Sequence, residues 1–401
     1  MTDFSHLSAS LDGDALRRVV IALLAEELGR LRGRALDASE WRSWTGATRL
    51  DEDGMGADSL SRLEMAARLN AFFHLHETGV EDYLLISPDV DEWVNLVSKS
   101  LQQSGSRLTF QTSGSTGPPK HITHEAKDLI GEALAHSVLF QGIQRVICLT
   151  PPHHIYGFIF SIIMPAYASV EVVDLRGVSL GRLAVELRSG DLVVTTPFMC
   201  NAHIKSRMIF PPGVTVVVST APCPQETWLG MKSASVSRMI EVYGSTETAG
   251  VGWREAHNAP FNILPHLERG SAAPTELFRR RNGARISPPD TIAWTIGGAF
   301  RPIDRCDGAV QVGGVNVFPD QVRQFLEAQP GVAECLVRLD CDGPAARIKV
   351  FVVLSTGVDS QIEAVLRQRC NDGLAAPARP IKYRFGETLP KNDFGKLIDW
   401  V

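Results

Sequence analysis

Residues 110–120 read FQTSGSTGPPK, and their types suit the binding of an anion. Gly114 and Gly117 carry no side chain to hold the backbone away from a ligand, so successive N–H groups can converge on it. Thr112, Ser113, Ser115 and Thr116 add hydroxyl donors, and Lys120 adds a positive charge. Together these groups can wrap a polyphosphate. In the commonest phosphate loop, lysine directly follows the second glycine and a Ser or Thr follows the lysine. Here Pro118 and Pro119 intervene. The paired histidines, His74 with His76 and His153 with His154, lack Cys or carboxylate partners at ligand spacing, so no metal centre is expected from them.

Such groups need rigid elements behind them. Between residues 108 and 250, short β-branched runs at 145–150, 170–175, 192–196, 214–220 and 239–243 alternate with amphipathic segments such as 125–139 and 180–188. Near-continuous apolar strands separated by helices indicate a parallel sheet covered on both faces, with ligands beyond the carboxyl ends of its strands. Polar residues fall at those ends: Thr112 onward, Pro152-His153-His154, Ser219-Thr220 and Tyr243-Gly244-Ser245-Thr246-Glu247. The fold class is α/β, with a large parallel-sheet domain over 106–306. A smaller α+β unit over 307–401 has strands at 310–317, 335–339 and 348–354 and helices at 321–328 and 360–370. Residues 1–105 form a mostly helical region, with helices at 16–31, 59–73 and 90–101.

A chain of 401 residues exceeds one ordinary core, so two or three domains are expected. With 44% apolar and 21% charged residues the composition is that of a soluble globular enzyme. The net charge of −5 argues against a nucleic-acid partner. No apolar run approaches membrane-spanning length, and residues 1–13 lack the apolar core of a signal peptide. The odd set Cys148, Cys200, Cys223, Cys306, Cys335, Cys341 and Cys370 has no C-x-x-C pair, which suits reduced thiols in a cytoplasmic protein.

Taken in order from residue 108 onward, these stretches resemble the adenylate-forming superfamily of acyl-CoA synthetases, peptide-synthetase adenylation domains and luciferases. The resemblance implies that Thr112, Ser113, Gly114, Ser115, Thr116, Gly117 and Lys120 clamp the phosphates of ATP. Ser219-Thr220-Ala221-Pro222 is similar to the small-residue turn against which adenine stacks, so Ser219 and Ala221 would border the base. In the turn formed by Tyr243, Gly244, Ser245, Thr246 and Glu247, the tyrosine would pack on adenine and Thr246 would touch the α-phosphate. Glu247 would hold Mg²⁺, an ion usually bound by one or two carboxylates with phosphate oxygens and water. His154-Ile155-Tyr156-Gly157-Phe158 resembles the motif that lines the carboxylate pocket, where a ring can orient the acid before attack.

Asp290 lies fifteen residues before Arg305 and resembles the family's ribose-binding aspartate with its downstream arginine. The preceding residues are Ser287-Pro288-Pro289 in place of the usual context, and Asp304 competes for the role. The interval from Glu247 to Asp290 is short for the family, which implies a trimmed β-subdomain. Asp307 occupies the hinge position, and the turn containing Gly314 matches the one that approaches the nucleotide during thiol transfer. Leu389-Pro390-Lys391-Asn392-Asp393-Phe394-Gly395-Lys396 matches the terminal motif, whose lysine stabilises charge on the attacking carboxylate and the α-phosphate.

The implied reaction joins a carboxylic acid to ATP with loss of pyrophosphate, then passes the acyl group to the thiol of coenzyme A or of an acyl carrier protein. The His-Ile-Tyr motif resembles aryl-acid ligases, which points to a small aromatic acid such as a hydroxybenzoate. Upstream, Gly56-Ala57-Asp58-Ser59-Leu60 resembles a carrier-protein attachment site, with phosphopantetheine on Ser59. Asp58 or Ser59 is equally a helix N-cap, in a scaffold that replaces part of the large domain. A carrier-fused loading module and a degenerate nucleotide-binding member are the alternatives.

Overall fold

The computed structural model describes residues 7, 11–104, 107–112, 120–270, 276–303, 308–313, 315–340, 346–355, 362–391 and 397–400, with the backbone of 304 and 305. Contacts divide the chain into two units. The first comprises residues 1–111, 121–288 and 292–302, and the second 112–120, 289–291 and 303–401.

The helices of the first hundred residues are α1 (Gly13–Leu31), α2 (Ala38–Trp41), α3 (Ser59–Phe73), α4 (Glu81–Leu84) and α5 (Val90–Ser104). Asp12 caps α1 by accepting from Ala15 N at 2.6 Å, and Asp58 caps α3 by accepting from Ser61 N at 2.7 Å. Each cap satisfies an N–H that the helix itself leaves unpaired. An antiparallel hairpin follows, β1 (Arg107–Gln111) with β2 (His121–Glu125), and then α6 (Ala126–Leu139).

The β-branched runs form one sheet of β3 (Arg145–Cys148), β4 (Glu171–Asp174), β5 (Asp191–Thr195), β6 (Thr215–Val218), β7 (Arg238–Ser245), β8 (Ala249–Arg254) and β9 (Asn262–Ile263). Their order is β4-β3-β5-β6-β7-β8-β9. Neighbours from β4 through β7 run parallel, whereas β8 and β9 are antiparallel. The sheet is therefore mixed, and the expected parallel pattern holds only as far as β7. Between strands lie α7 (Ile155–Phe158), continued through a π-helical stretch at Ile159–Ile163 into α8 (Met164–Ala168), then α9 (Leu180–Glu186), α10 (Pro197–Lys205) and α11 (Gln225–Ser233).

Successive strand residues point to opposite faces, so each strand supplies two cores. Val146, Leu192, Val194, Val217 and Ile240 join one cluster with Leu16, Leu23, Met65, Phe72, Trp93 and Val97 of the N-terminal helices. Ile147, Val193, Val216, Val218 and Met239 join the other with Leu183, Cys200, Phe210 and Met231. The Phe72 ring meets Phe110 at 5.1 Å and Phe158 at 5.9 Å, edge to face, tying α3 to β1 and α7. Helices α1, α3 and α5 thus pack against the sheet. They supply one face of the sheet's cover.

Beyond β9 come two small sheets, β10 (Leu267–Arg269) with β11 (Leu277–Arg279) and β12 (Arg285–Ile286), and β13 (Asp290–Trp294) with β14 (Phe300–Arg305). In the second unit, the single strand expected at 310–317 is a hairpin of β15 (Val310–Val312) and β16 (Val315–Val317). Gly313, at φ +61°, supplies the left-handed backbone of its turn. Then follow α12 (Pro319–Glu327), β17 (Val332–Asp340), β18 (Arg347–Leu354), α13 (Ile362–Gly373) and β19 (Pro380–Gly386). β17 and β19 flank β18, antiparallel and parallel respectively. Among the described residues no helix is long and apolar enough to cross a membrane.

Phe72 is fully buried where the helices meet the sheet, so Phe72→Ala is expected to cost about 3–5 kcal/mol. Because the core is shared, helix signal and sheet signal should be lost together in a urea titration followed by circular dichroism and tryptophan fluorescence. Separate transitions for residues 1–105 and the sheet would contradict this packing.

Candidate active site

The carboxyl ends of β3, β5, β6 and β7 lie on one edge of the sheet, because these strands are parallel. β7 delivers Tyr243, Gly244 and Ser245 to that edge, and the chain turns through Thr246, Glu247 and Thr248 into β8. A Cβ on Gly244 would sit 2.3 Å from the Ala249 carbonyl oxygen, so the tight return requires glycine there. Ser245 and Thr248 close the turn reciprocally: Ser245 N donates to Thr248 Oγ1 at 3.1 Å, and Thr248 N donates to Ser245 Oγ at 3.2 Å. The Tyr243 ring packs beside Phe261 and Phe300 at 5.6 and 5.4 Å. Glu247 is exposed at the tip, and no basic side chain pairs with it among the described residues. A single free carboxylate of this kind fits Mg²⁺, which keeps most of its shell as water and phosphate oxygen.

The turn is held from behind by side chains that sequence reasoning missed. His124 on β2 places Nε2 2.7 Å from the Thr246 carbonyl oxygen. Glu132 on α6 accepts from Gly250 N at 2.9 Å, and a Cβ on Gly250 would meet the same carboxylate at 2.3 Å. Arg279 on β11 reaches the Thr248 carbonyl at 3.4 Å and pairs with Asp128 at 3.3 Å. Burial opposes charge on Glu132, but His136, His266 and the Gly250 N–H outweigh it and hold the carboxyl below its usual value. Burial pushes His124 down, and His266 to about 4. The sequence signal for part of this network was the pair Glu132 and His136, one helical turn apart on one helix.

Ser219 follows β6, and its hydroxyl donates to the Val242 carbonyl at 2.8 Å. Thr220, at φ +81°, and the half-buried Ala221 continue the bend. Beyond β3, His154 occupies the N-cap position of α7 without a side-chain capping bond, and the Tyr156 hydroxyl faces the carbonyls of Thr195 and Val217 at 3.1 and 2.8 Å. That contact locks α7 to the ends of β5 and β6. Glu26 of α1 comes up to the histidines, with Oε1 3.2 Å from His153 Nε2 and 3.6 Å from His154 Nε2. Burial drives His153 down to about 4, so its imidazole is neutral near pH 7. The histidines thus have the carboxylate neighbour that their sequence surroundings lack.

Ser59 is exposed in the first turn of α3, directly after the capping residue Asp58. Thr112 and Lys120 close the base of their loop, with Thr112 N donating to the Lys120 carbonyl at 2.9 Å. Asp290 opens β13 and Arg305 closes its neighbour β14. Ser113, Gly114, Ser115, Thr116, Gly117, Asp307, Gly314 and Lys396 lie outside the described residues, as do the side chains of Asp304 and Arg305. The backbone flanking Lys396 is anchored. Lys391 bridges to Leu397, Ile398 N donates to the Pro390 carbonyl at 3.0 Å, and the buried Lys349 ammonium donates to Asp399 at 3.1 Å and to the Trp400 carbonyl at 2.9 Å.

A family model for AMP-binding enzymes matches residues 87–272, and one for the C-terminal domain of AMP-binding enzymes matches residues 321–396. A 4-coumarate–CoA ligase of Rhodobacter capsulatus is 37% identical over 395 residues, spanning 96% of this chain and 100% of that protein. The chain belongs to the adenylate-forming family of AMP-binding enzymes. A second AMP-binding enzyme, the 4-coumarate–CoA ligase of Cereibacter sphaeroides, is 39% identical over 358 residues, covering 88% of this chain and 85% of its own. Among solved structures, an o-succinylbenzoate CoA synthetase from Bacillus subtilis superposes with a TM-score of 0.60 at 16% identity, over 94% of this chain and 90% of that one. That likeness establishes the fold, and the protein is by family an AMP-forming ligase that activates a carboxylic acid.

The half-buried His266, with both ring nitrogens shielded from water, predicts an acid-sensitive fold for this AMP-binding enzyme. Unfolded, the imidazole takes a proton near its ordinary 6.5, whereas folded it resists until about 4. Its contribution to stability is complete above pH 6.5 and is lost as the pH falls towards 4. Melting temperature should therefore drop between about pH 7 and pH 5, and the drop should shrink in His266→Gln. A melting temperature independent of pH over that interval would contradict the neutral imidazole.

Proposed function

We propose that the protein activates an aromatic acid of the 4-coumarate class as its acyl-adenylate and transfers the acyl group to coenzyme A. The observation that carries this reading is the 37% identity along the whole of a 4-coumarate–CoA ligase, N-terminal helices included. This narrows the hydroxybenzoate expectation towards a longer phenylpropenoic acid. With Asp58 bound to Ser61 N as a helix cap, the Asp58-Ser59-Leu60 stretch is read as local helix chemistry, and the acceptor thiol as a diffusible one.

In this reading the loop 112–120 holds the phosphates of ATP, with Thr112, Ser113, Ser115 and Thr116 donating and Lys120 adding charge. Ser219, Ala221 and Tyr243 border the base, and Asp290 with Arg305 serves the ribose. Thr246 donates to the α-phosphate, and Glu247 is the residue that would hold Mg²⁺, whose charge would screen the phosphates. The substrate carboxylate attacks the α-phosphorus and pyrophosphate leaves. Lys396 serves the attacking oxygen and the α-phosphate, where negative charge grows in the transition state. His154 orients the acid. The second unit then turns about Asp307, bringing Gly314 towards the nucleotide, and the thiol displaces AMP from the acyl carbon.

The test is ATP- and coenzyme A-dependent thioester formation across a panel of cinnamic and benzoic acids, with pyrophosphate exchange measured in parallel. 4-Coumarate should have the highest kcat/KM, and Lys396→Ala should reduce exchange by about 10²–10³-fold while ATP binding persists. Protein that binds ATP but exchanges pyrophosphate with no acid would overturn the reading.

A further inference from the structure

We propose that Glu26, His153 and His154 form a binding site for a divalent cation of the zinc type. Zinc bonds nitrogen and oxygen at roughly 2.0–2.2 Å, which in a tetrahedron sets neighbouring ligand atoms about 3.3–3.6 Å apart. Glu26 Oε1 lies 3.2 Å from His153 Nε2 and 3.6 Å from His154 Nε2, and the three ligand atoms are mutually within 4.8 Å. Two imidazoles and one carboxylate are a donor set that borderline cations prefer over Mg²⁺ or Ca²⁺.

Three observations set this cluster apart from an ordinary surface ion pair. His153 is 7% exposed, and its Nε2 meets Glu26 Oε1 at 3.2 Å without the alignment of a hydrogen bond. A cation between these two atoms would bond both. The second carboxylate oxygen, Glu26 Oε2, accepts from the buried Arg68 Nη2 at 3.1 Å, which leaves Oε1 to face the histidines. Outer bonds of this kind fix the orientation of metal-binding carboxylates. Finally, all three residues border a cavity of about 610 Å³ in the first unit, lined also by Ala22, Ala25, Gly29, Trp41 and Leu149, so a fourth ligand has room beside them.

The other group of comparable composition, His74 with His76 and Glu77, lacks these properties. His74 Nε2 is 2.8 Å from Thr109 Oγ1, His76 Nδ1 is 3.0 Å from Asn70 Oδ1, and Glu77 pairs with Arg107. Its donors are already engaged. At the first cluster a bound cation ties α1 to the segment between β3 and α7, linking parts of the chain more than a hundred residues apart.

The experiment uses the full chain after chelator treatment and dialysis, titrated with Zn²⁺ by calorimetry and with Co²⁺ by visible absorption. One equivalent should bind, with the intense visible bands of a low-symmetry cobalt site. Glu26→Gln and His153→Ala should each weaken Zn²⁺ by at least about tenfold, while His76→Ala leaves it unchanged. Circular dichroism establishes that each variant is folded, and Glu26→Gln, at a half-exposed side chain, decides the matter if His153→Ala is not. Absence of binding to the unsubstituted chain, or affinity in folded Glu26→Gln within tenfold of it, would overturn the proposal.

Discussion

A parallel sheet has no face that can be left to water, and most of this chain follows from that constraint. β3, β5, β6 and β7 alternate their apolar residues between two clusters, and each cluster needs helices to complete it. On one side α9, α10 and α11 serve, as crossover helices between parallel strands usually do. On the other the cover includes α1, α3 and α5, which precede the sheet in the chain. Helices in the region that resembles a carrier module at the sequence level share a core with the sheet.

The strand-end turn carrying Thr246 and Glu247 is held stiff from behind. Its outward tip carries an unengaged carboxylate, while its backbone is gripped from within by His124, Glu132 and Arg279. Burying such groups is costly unless every partner is in place. Here Glu132 meets an N–H, and Arg279 meets both a carbonyl and Asp128, while its Nη1 has no partner among the described residues. A turn so held has little conformational entropy left to lose.

Local periodicity carried much of this organisation. The helix expected at 59–73 is α3 to the residue, and the five β-branched runs are five strands of the main sheet. Order among motifs along the chain carried the family, because each motif falls at a strand end. Features created only by folding were not legible. Glu26 reaches His153 and His154 across more than a hundred residues, and nothing local marks it among the other acidic positions of α1. The strand Pro380–Gly386 alternates apolar and charged residues at a strand's period but begins at a proline, and its pairing with β18 decides what the local pattern leaves open. The antiparallel β8 and β9 escaped for the same reason, since their identity depends on an edge that β7 offers.

The ring contacts among Phe72, Phe110 and Phe158 bear on how relatives of this enzyme can be recombined. Phe110 leads into the loop that closes at Thr112 and Lys120, and Phe158 follows His154 by one helical turn. α3 supplies the third ring. A chimera that exchanges the N-terminal helices while keeping the host's hairpin and α7 pairs rings shaped in different ancestors. Its fault would surface in two motif loops that the exchanged segment does not contain. The natural block for shuffling is therefore a spatial one: the helices through α5, the β1–β2 hairpin and the run from α7 to α8 inherited together.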